Sequence, residues 1–179
     1  PFTGAVTGGA GNDTYNSSNG AVAGTNVFNG GAGSDTYNGF GAISTFNGGD
    51  DNDFAYGGAG NEQLNGQAGN DTLNGGSGID TINGGAGSDT INGGLGNDSL
   101  NGGGADGASD LFIFSATQNE GQDTIAGFEN NIDHLNFGGQ SYVAVNVGAN
   151  VQITLNSGTV ITVLNMTADQ ISDDIIGGP

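Results

Sequence analysis

Acidic residues recur at a regular spacing along the chain and could together bind divalent cations. Oxygen atoms of carboxylates and carbonyls are the ligands that Ca²⁺ prefers, and one ion takes roughly six to eight of them at about 2.3–2.6 Å. The chain has 19 Asp and Glu residues, no Lys or Arg and one His, so it cannot neutralise stacked carboxylates by itself. The pattern therefore predicts that several calcium ions bind. The candidate carboxylate ligands are Asp13, Asp35, Asp53, Glu62, Asp71, Asp80, Asp89, Asp98 and Asp110.

Nearly all of these acids occupy the sixth position of a repeated nine-residue unit. Eight units follow one another without a gap over residues 30–101, and another clear copy spans residues 8–16. The pattern G-G-x-G-x-D-x-U-x, in which U is a large apolar residue, is typical of a parallel β-helix. We expect the first six residues of each unit to form a turn and the last three to form a short strand.

Glycines at the second and fourth positions of the unit are the other candidate ligands, through their carbonyl oxygens. The turn needs positive φ angles, which Gly adopts freely, and it must bring several carbonyls towards one point. An Asp from each of two stacked turns and these carbonyls would complete a calcium site. The predicted glycine ligands are Gly31, Gly33, Gly49, Gly58, Gly60, Gly69, Gly76, Gly78, Gly85, Gly87, Gly94 and Gly96.

Two units should close one coil, so a residue stacks on its counterpart 18 positions later at a strand spacing of about 4.8 Å. The acids then separate onto two edges. The Asp35 edge carries Asp13, Asp35, Asp53, Asp71, Asp89 and Asp110. The Glu62 edge carries Asn26, Ser44, Glu62, Asp80 and Asp98. We predict full occupancy along the Asp35 edge and weak or absent sites beside Asn26 and Ser44. Ala42 and Asp51 replace a turn glycine, which makes the turns around Ser44 and Asp53 less regular.

The eighth position of each unit supplies a narrow apolar core between two sheets. Nine of the ten predicted inward side chains are large and apolar, and the tenth is an alanine. The predicted inward residues are Tyr15, Phe28, Tyr37, Phe46, Ala55, Leu64, Leu73, Ile82, Ile91 and Leu100. The sequence thus predicts an all-β fold, a right-handed parallel β-roll with a β-rich C-terminal cap.

Changes in composition divide the chain into three regions. Residues 1–29 hold degenerate N-terminal repeats, residues 30–110 form the β-roll, and residues 111–179 form the C-terminal region. In that last region, residues 142–147 and 151–155 alternate apolar and polar types as strands do, and residues 167–171 suggest one capped helical turn. Because a solenoid needs an atypical module over its last coil, we interpret the C-terminal region as a cap.

The array, together with the phrases at residues 123–128 (DTIAGF) and 132–135 (IDHL), resembles the RTX family of haemolysin-type calcium-binding repeats. The resemblance implies an extracellular protein that calcium folds after export by a type I secretion machinery, guided by an uncleaved C-terminal signal. Residues 173–176 (DDII) are similar to that signal's acidic and then apolar ending. The chain opens without an N-terminal signal peptide, so we expect either a fragment or processed product, or export by a route that needs none.

Several function classes are not expected. A chain without basic residues offers no electrostatic contact to nucleic acid or anionic membranes. It has no cysteine for disulfides or thiolate metal sites, and no stretch apolar enough for membrane insertion. His134 is a lone histidine, and the motifs H-E-x-x-H and G-x-S-x-G are both missing, so we expect no enzyme activity.

The sequence leaves several roles open for a calcium-folded coil. It could be a structural or surface protein that assembles with itself, by end-to-end or face-to-face stacking, into a filament or layer. It could instead be the C-terminal tail of a larger toxin, protease or adhesin. Rows of Thr and Asn on the outer faces also permit ice binding. Phe54 and Tyr56 interrupt these rows and are a candidate contact with a neighbour.

Overall fold

The computed structural model describes residues 4–17, 26–39 and 44–176. These residues form short strands joined by tight turns, together with a single short helix, α1 (Ala168–Ile171). The strands are β1 (Ala5–Ala10), β2 (Thr14–Asn16), β3 (Asn26–Ala32), β4 (Thr36–Asn38), β5 (Ser44–Asp50), β6 (Phe54–Gly58), β7 (Gln63–Ala68), β8 (Thr72–Ser77), β9 (Thr81–Ala86), β10 (Thr90–Leu95), β11 (Ser99–Asn101), β12 (Leu111–Ile113), β13 (Gln122–Ala126), β14 (His134–Asn136), β15 (Tyr142–Val147), β16 (Asn150–Leu155), β17 (Val160–Val163) and β18 (Ile175–Ile176).

From β1 to β15, successive strands alternate between two sheets. Within the described residues one sheet has the order β1-β3-β5-β7-β9-β11-β13-β17-β16-β15, and the other has the order β18-β14-β12-β10-β8-β6-β4-β2. Strands of the repeats pair in parallel with the strand one coil away, and Thr72 stands opposite Thr90. Because each nonapeptide supplies one turn and one strand, two units close one coil. The predicted all-β parallel roll is confirmed.

Insertions lengthen some coils without changing which side chains face inward. Ala5 stands opposite Val27 and Ser99 opposite Thr124, so these coils exceed the regular 18-residue period. In the coil that links Ser99 to Thr124, the extra residues lie in the turns on either side of β12. The pairing of inward positions is kept, as Leu100 still stands opposite Ile125.

The core lies between the two sheets and consists of the predicted inward residues. Nine of them are at most 2% exposed, and Tyr15 is half-buried against the same cluster. The first coils contain a continuous aromatic stack. Its ring centroids are 5.4 Å apart for Tyr15 and Phe28, and 5.7 Å apart for Tyr37 and Phe46. Stacked rings bury more apolar area per residue than the Leu and Ile side chains of the later coils.

Parallel pairing continues past residue 110. Strand β12 pairs with β10, β13 with β11, β14 with β12 and β17 with β13, so the two sheets extend into the C-terminal region. The antiparallel strands β16 and β15 then complete the first sheet. The predicted helical turn is confirmed as α1, whose start is fixed by a hydrogen bond from the Thr167 N–H to Gln170 Oε1 at 3.0 Å. Among the described residues, no helix has the length and apolarity needed to cross a bilayer.

Candidate calcium-binding edges

The turns of the roll stack because their glycines leave room for the carbonyls of neighbouring coils. Gly76 and Gly78 have φ angles of 103° and 136°, in the left-handed region that favours glycine. A side chain at Gly76 would collide with the carbonyl of Gly58, and one at Gly78 with the carbonyl of Gly60. The predicted carbonyl ligands of one coil therefore point along the stack towards the next coil. Of the twelve predicted glycines, Gly60 alone is not in the positive-φ region.

The sixth-position acids form a ladder along each edge. The backbone N–H of one Asp donates to Oδ1 of the Asp one coil later, at 2.7 Å from Asp35 to Asp53 and 2.8 Å from Asp71 to Asp89. The Glu62 edge does the same, since the Glu62 N–H donates to Asp80 Oδ1 at 2.8 Å. One oxygen of each paired carboxylate is thus fixed by the backbone, and this orients the other oxygen.

The second oxygens of these carboxylates are buried and have no hydrogen-bond partner. A buried carboxylate oxygen without a partner is costly, because burial removes its hydration and nothing replaces it. The unpartnered oxygens are Oδ2 of Asp13, Asp35, Asp53, Asp71, Asp80, Asp89 and Asp98, and both Oε1 and Oε2 of Glu62. A row of such atoms in a chain without Lys or Arg indicates that the chain needs a cation.

Except for Asp98, each of these acids places an unpartnered oxygen beside a carbonyl from the next coil. The space that a side chain at Gly66 would fill is occupied by Asp71 Oδ2 and by the carbonyl oxygen of Gly84. Gly30 shows the same arrangement, with Asp35 Oδ2 and the carbonyl of Gly48. A carboxylate and a carbonyl from different coils therefore converge on one point, which we call a cradle. These first-position glycines were not among the ligands predicted from the sequence.

The electrostatics of the edges favour a positive ligand. Burial, reinforced by the charges of neighbouring carboxylates, raises the pKa of Asp53 and Asp89 to about 7 and that of Asp98 to about 6. The same burial raises the pKa values of Asp71 and Asp80 above the usual range for aspartate. Bound cations would reverse this effect, because they stabilise the ionised carboxylates.

Glu62 differs from the aspartates of its edge. Both of its carboxylate oxygens are buried without a partner. Burial, followed by the charge and proximity of the Asp80 carboxylate, raises the pKa of Glu62 to about 8. The Glu62 carboxylate lies close to that of Asp80. A cation placed here would bind both acids.

The acid ladder extends beyond the repeats to residues that the sequence analysis did not assign as ligands. The Asp98 N–H donates to Asp123 Oδ1 at 2.9 Å, and the Asp110 N–H donates to Asp133 Oδ1 at 2.9 Å. Asp133 directly precedes β14, whereas Asp123 is the second residue of β13. In both cases the residue two positions later is buried, as in D-x-U-x, and this was the signal available in the sequence. Asp133 differs from the repeat acids because its Oδ2 accepts a hydrogen bond from the Glu129 N–H at 2.7 Å.

Two departures from the glycine pattern keep the required backbone. Asp51 has a φ of 73° and Gln67 a φ of 83°, so both non-glycine residues adopt the left-handed conformation of the turn. The turn before Asp53 is therefore regular. The side chains of Asn26 and Ser44, and all of Ala42, lie outside the described residues, so the predicted weak sites beside them stay a prediction.

The donor set fits calcium rather than a metal that prefers His or Cys. Among the residues that the structure describes, no three His, Asp or Glu side chains converge on one point. In the cradles, backbone carbonyls accompany the carboxylates. Carboxylates combined with carbonyls are a hard oxygen set, which suits Ca²⁺. The predicted carboxylate ligands Asp13 to Asp98 all contribute to the two ladders. Asp110 continues the ladder of the Asp35 edge, because its Oδ1 accepts a hydrogen bond from the Asp89 N–H at 2.9 Å.

Comparisons with known proteins concern the nonapeptide repeat. A family model described as the RTX calcium-binding nonapeptide repeat matches four copies, at residues 6–21, 22–41, 38–73 and 74–107. No curated protein matches the chain. Among solved structures, the AlgE6R3 subunit of the mannuronan C5-epimerase from Azotobacter vinelandii is 23% identical, with 72% of this chain and 79% of that one covered and a TM-score of 0.29. The extracellular lipase LipA from Serratia marcescens is 19% identical, with 98% and 40% covered and a TM-score of 0.40.

Proposed function

Because the chain belongs to the family of RTX calcium-binding nonapeptide repeats, we propose that it is an extracellular structural or surface protein that folds when calcium binds. The observation that carries this proposal is the row of buried carboxylate oxygens without a partner on both edges. Without calcium, these acids repel one another. The 39 glycines also raise the conformational entropy of the unfolded chain, which opposes folding. With calcium, each cradle binds an ion, and the free energy of binding contributes to the free energy of folding.

The experiment is a circular-dichroism titration of the full chain with calcium, followed by chelator. We expect the spectrum of a largely disordered chain without the ion and a β-rich spectrum with it. Chelator should return the spectrum to that of the disordered chain. A matched titration with Mg²⁺ is the control, since that ion demands a small octahedral site and gives up its waters reluctantly. A spectrum that changes neither on addition of calcium nor on addition of chelator would contradict the proposal.

The cellular setting is the second part of the proposal. We propose export through a type I secretion machinery, folding outside the cell where calcium is abundant, and no enzyme activity of the chain's own. The resemblance in the array and at residues 173–176 supports export, and the lack of catalytic motifs supports a non-enzymatic role. Fusing residues 111–179 to a reporter and measuring its release through a type I channel tests the export step. Retention of the fusion would contradict it.

Two arrangements of this function remain to be separated. In the first, the chain is a subunit that assembles with itself into filaments or a layer. In the second, it is the C-terminal tail of a larger secreted toxin, protease or adhesin. Sedimentation of the calcium-loaded chain distinguishes them. Large assemblies that dissolve in chelator favour the first, and a compact species together with a larger intact mass of the native protein favours the second.

A further inference from the structure

We propose that the strand β15 (Tyr142–Val147) joins two copies of this chain by antiparallel pairing with its own counterpart. This inference rests on the proposed function, because the C-terminal strands must be folded. It differs from end-to-end or face-to-face stacking of the coils, since the contact runs edge to edge through a single strand.

The first observation is that β15 ends its sheet without protection. It pairs with β16 on one side and is the last strand of the ten-stranded sheet among the described residues. Natural edge strands usually avoid association by being short or by carrying Lys, Pro, a charge or a bulge. This strand has six residues, Tyr-Val-Ala-Val-Asn-Val, and none of those protective residues. Its backbone is therefore available to another strand.

The second observation is a row of exposed valines on the outer face of the same strand. Val143, Val145 and Val147 are 64%, 47% and 51% exposed. The residues opposite Val143 and Val145 on β16 are Thr154 and Gln152, which are polar and do not extend the apolar row over a neighbouring strand. Three large apolar side chains in a line on an edge strand are typical of an interaction site rather than a solvated face.

The third observation identifies the partner through charge. Two copies of a chain with 19 acids and no Lys or Arg repel each other wherever acids face one another. Residues 134–168 contain no Asp or Glu, the longest such stretch in the chain, and they include all of β15, β16 and β17. Two copies can therefore approach at β15 without opposing carboxylates. Calcium bound at the edges lowers the remaining repulsion.

Symmetry also favours a second copy. A twofold axis across two antiparallel β15 strands brings the same valine row together from both copies, which is the self-complementary contact of the commonest oligomers. The opposite face of β15 is already covered, because Tyr142 and Ala144 pack against the core. Pairing would join two ten-stranded sheets into one continuous sheet with its valines on one side.

The test is sedimentation velocity of the calcium-loaded full chain and of two variants. Val145→Glu places like charges across the twofold axis, and Tyr56→Glu adds the same charge at an exposed aromatic, 40% exposed, on the other sheet. We expect the unmodified chain and Tyr56→Glu to sediment at twice the chain mass. Val145→Glu should remain a monomer, with dimerisation weakened at least about a hundredfold by the opposed charges.

Circular dichroism of the same samples separates the possible failures. A chain that calcium does not fold contradicts the proposed function, whereas a folded monomer contradicts only the β15 interface. Dimerisation that survives Val145→Glu, or that Tyr56→Glu abolishes, also overturns the interface. Because the chain has no cysteine, Val143→Cys, Val145→Cys and Val147→Cys can be oxidised separately as an independent check. At least one should form a disulfide-linked dimer, and none doing so, or Tyr56→Cys doing so equally, contradicts the inference.

Discussion

Replacing Asp71 with Asn should change stability with opposite signs in calcium and in chelator. Asp71 is 1% exposed, its Oδ1 accepts the Asp53 N–H at 2.7 Å and its Oδ2 has no partner. Asparagine keeps the first oxygen as an acceptor and replaces the second with an amide group, so it removes a charge with little change of shape. In chelator the variant buries one unpaired charge fewer, and we expect it to be more stable than the unmodified chain.

With calcium present, the same variant loses the carboxylate of one cradle, the one that Asp71 shares with the carbonyl of Gly84. A ligand at a hundred times its dissociation constant stabilises the folded state by about 2.7 kcal/mol. Loss of that one site should therefore cost up to about 2.7 kcal/mol of unfolding free energy at such a calcium concentration. Neighbouring cradles keep their own carboxylates and should bind as before.

Urea denaturation in calcium and in chelator measures both signs. Asp50→Asn is the matched control, because Asp50 is exposed and the substitution removes one negative charge, as Asp71→Asn does. We expect the control to change stability little in either condition. Equal destabilisation of Asp71→Asn with and without calcium would show that Asp71 acts through its hydrogen bond and packing, and not by binding a metal ion.

Three further predictions concern the protonation of the buried aspartates and substitutions in the turns. Because burial raises the pKa of Asp53 and Asp89 to about 7, folding in chelator should be favoured below about pH 4 and lost as the pH rises through about 7, as circular dichroism can show. Gln67→Gly relieves a φ of 83° and should raise the unfolding free energy by about 1 kcal/mol in urea; a loss would contradict this. Gly66→Ala fills a cradle and should weaken calcium binding by calorimetry. Gly104→Ala has nothing within 4 Å but strains a φ of 97°, so it should lower stability without weakening calcium binding.

The sequence predicts the parts of this structure that obey a fixed period. The sixth position of each unit is mostly acidic and the eighth is apolar. The two edges and the core therefore follow from the geometry of the repeat. The first-position glycines were not predicted, because no pattern of residue types shows which carboxylate oxygen lies over which backbone atom. Asp123 and Asp133 were missed for another reason. Insertions after residue 101 break the nine-residue period, and the acids then resemble ordinary loop residues.

The two edges are unequal along the roll, and the core compensates for the difference. Where the Glu62 edge has Asn26 and Ser44 instead of acids, the inward residues are aromatic and form a continuous stack. Each aromatic ring buries about 150–250 Å², so these coils rely more on apolar burial and contain fewer carboxylates to repel one another when calcium is removed.

Removing calcium should therefore affect the coils unequally, because the stability of a solenoid is a sum over its repeats and their interfaces. Hydrogen exchange of backbone amides in calcium and in chelator resolves this coil by coil. We expect chelation to reduce protection less in β4 (Thr36–Asn38), beside the aromatic stack, than in β8 (Thr72–Ser77) and β10 (Thr90–Leu95), where both edges carry acids. Uniform loss of protection in all three strands would mean that the roll unfolds as one unit, and that the aromatic stack does not substitute for the missing ions.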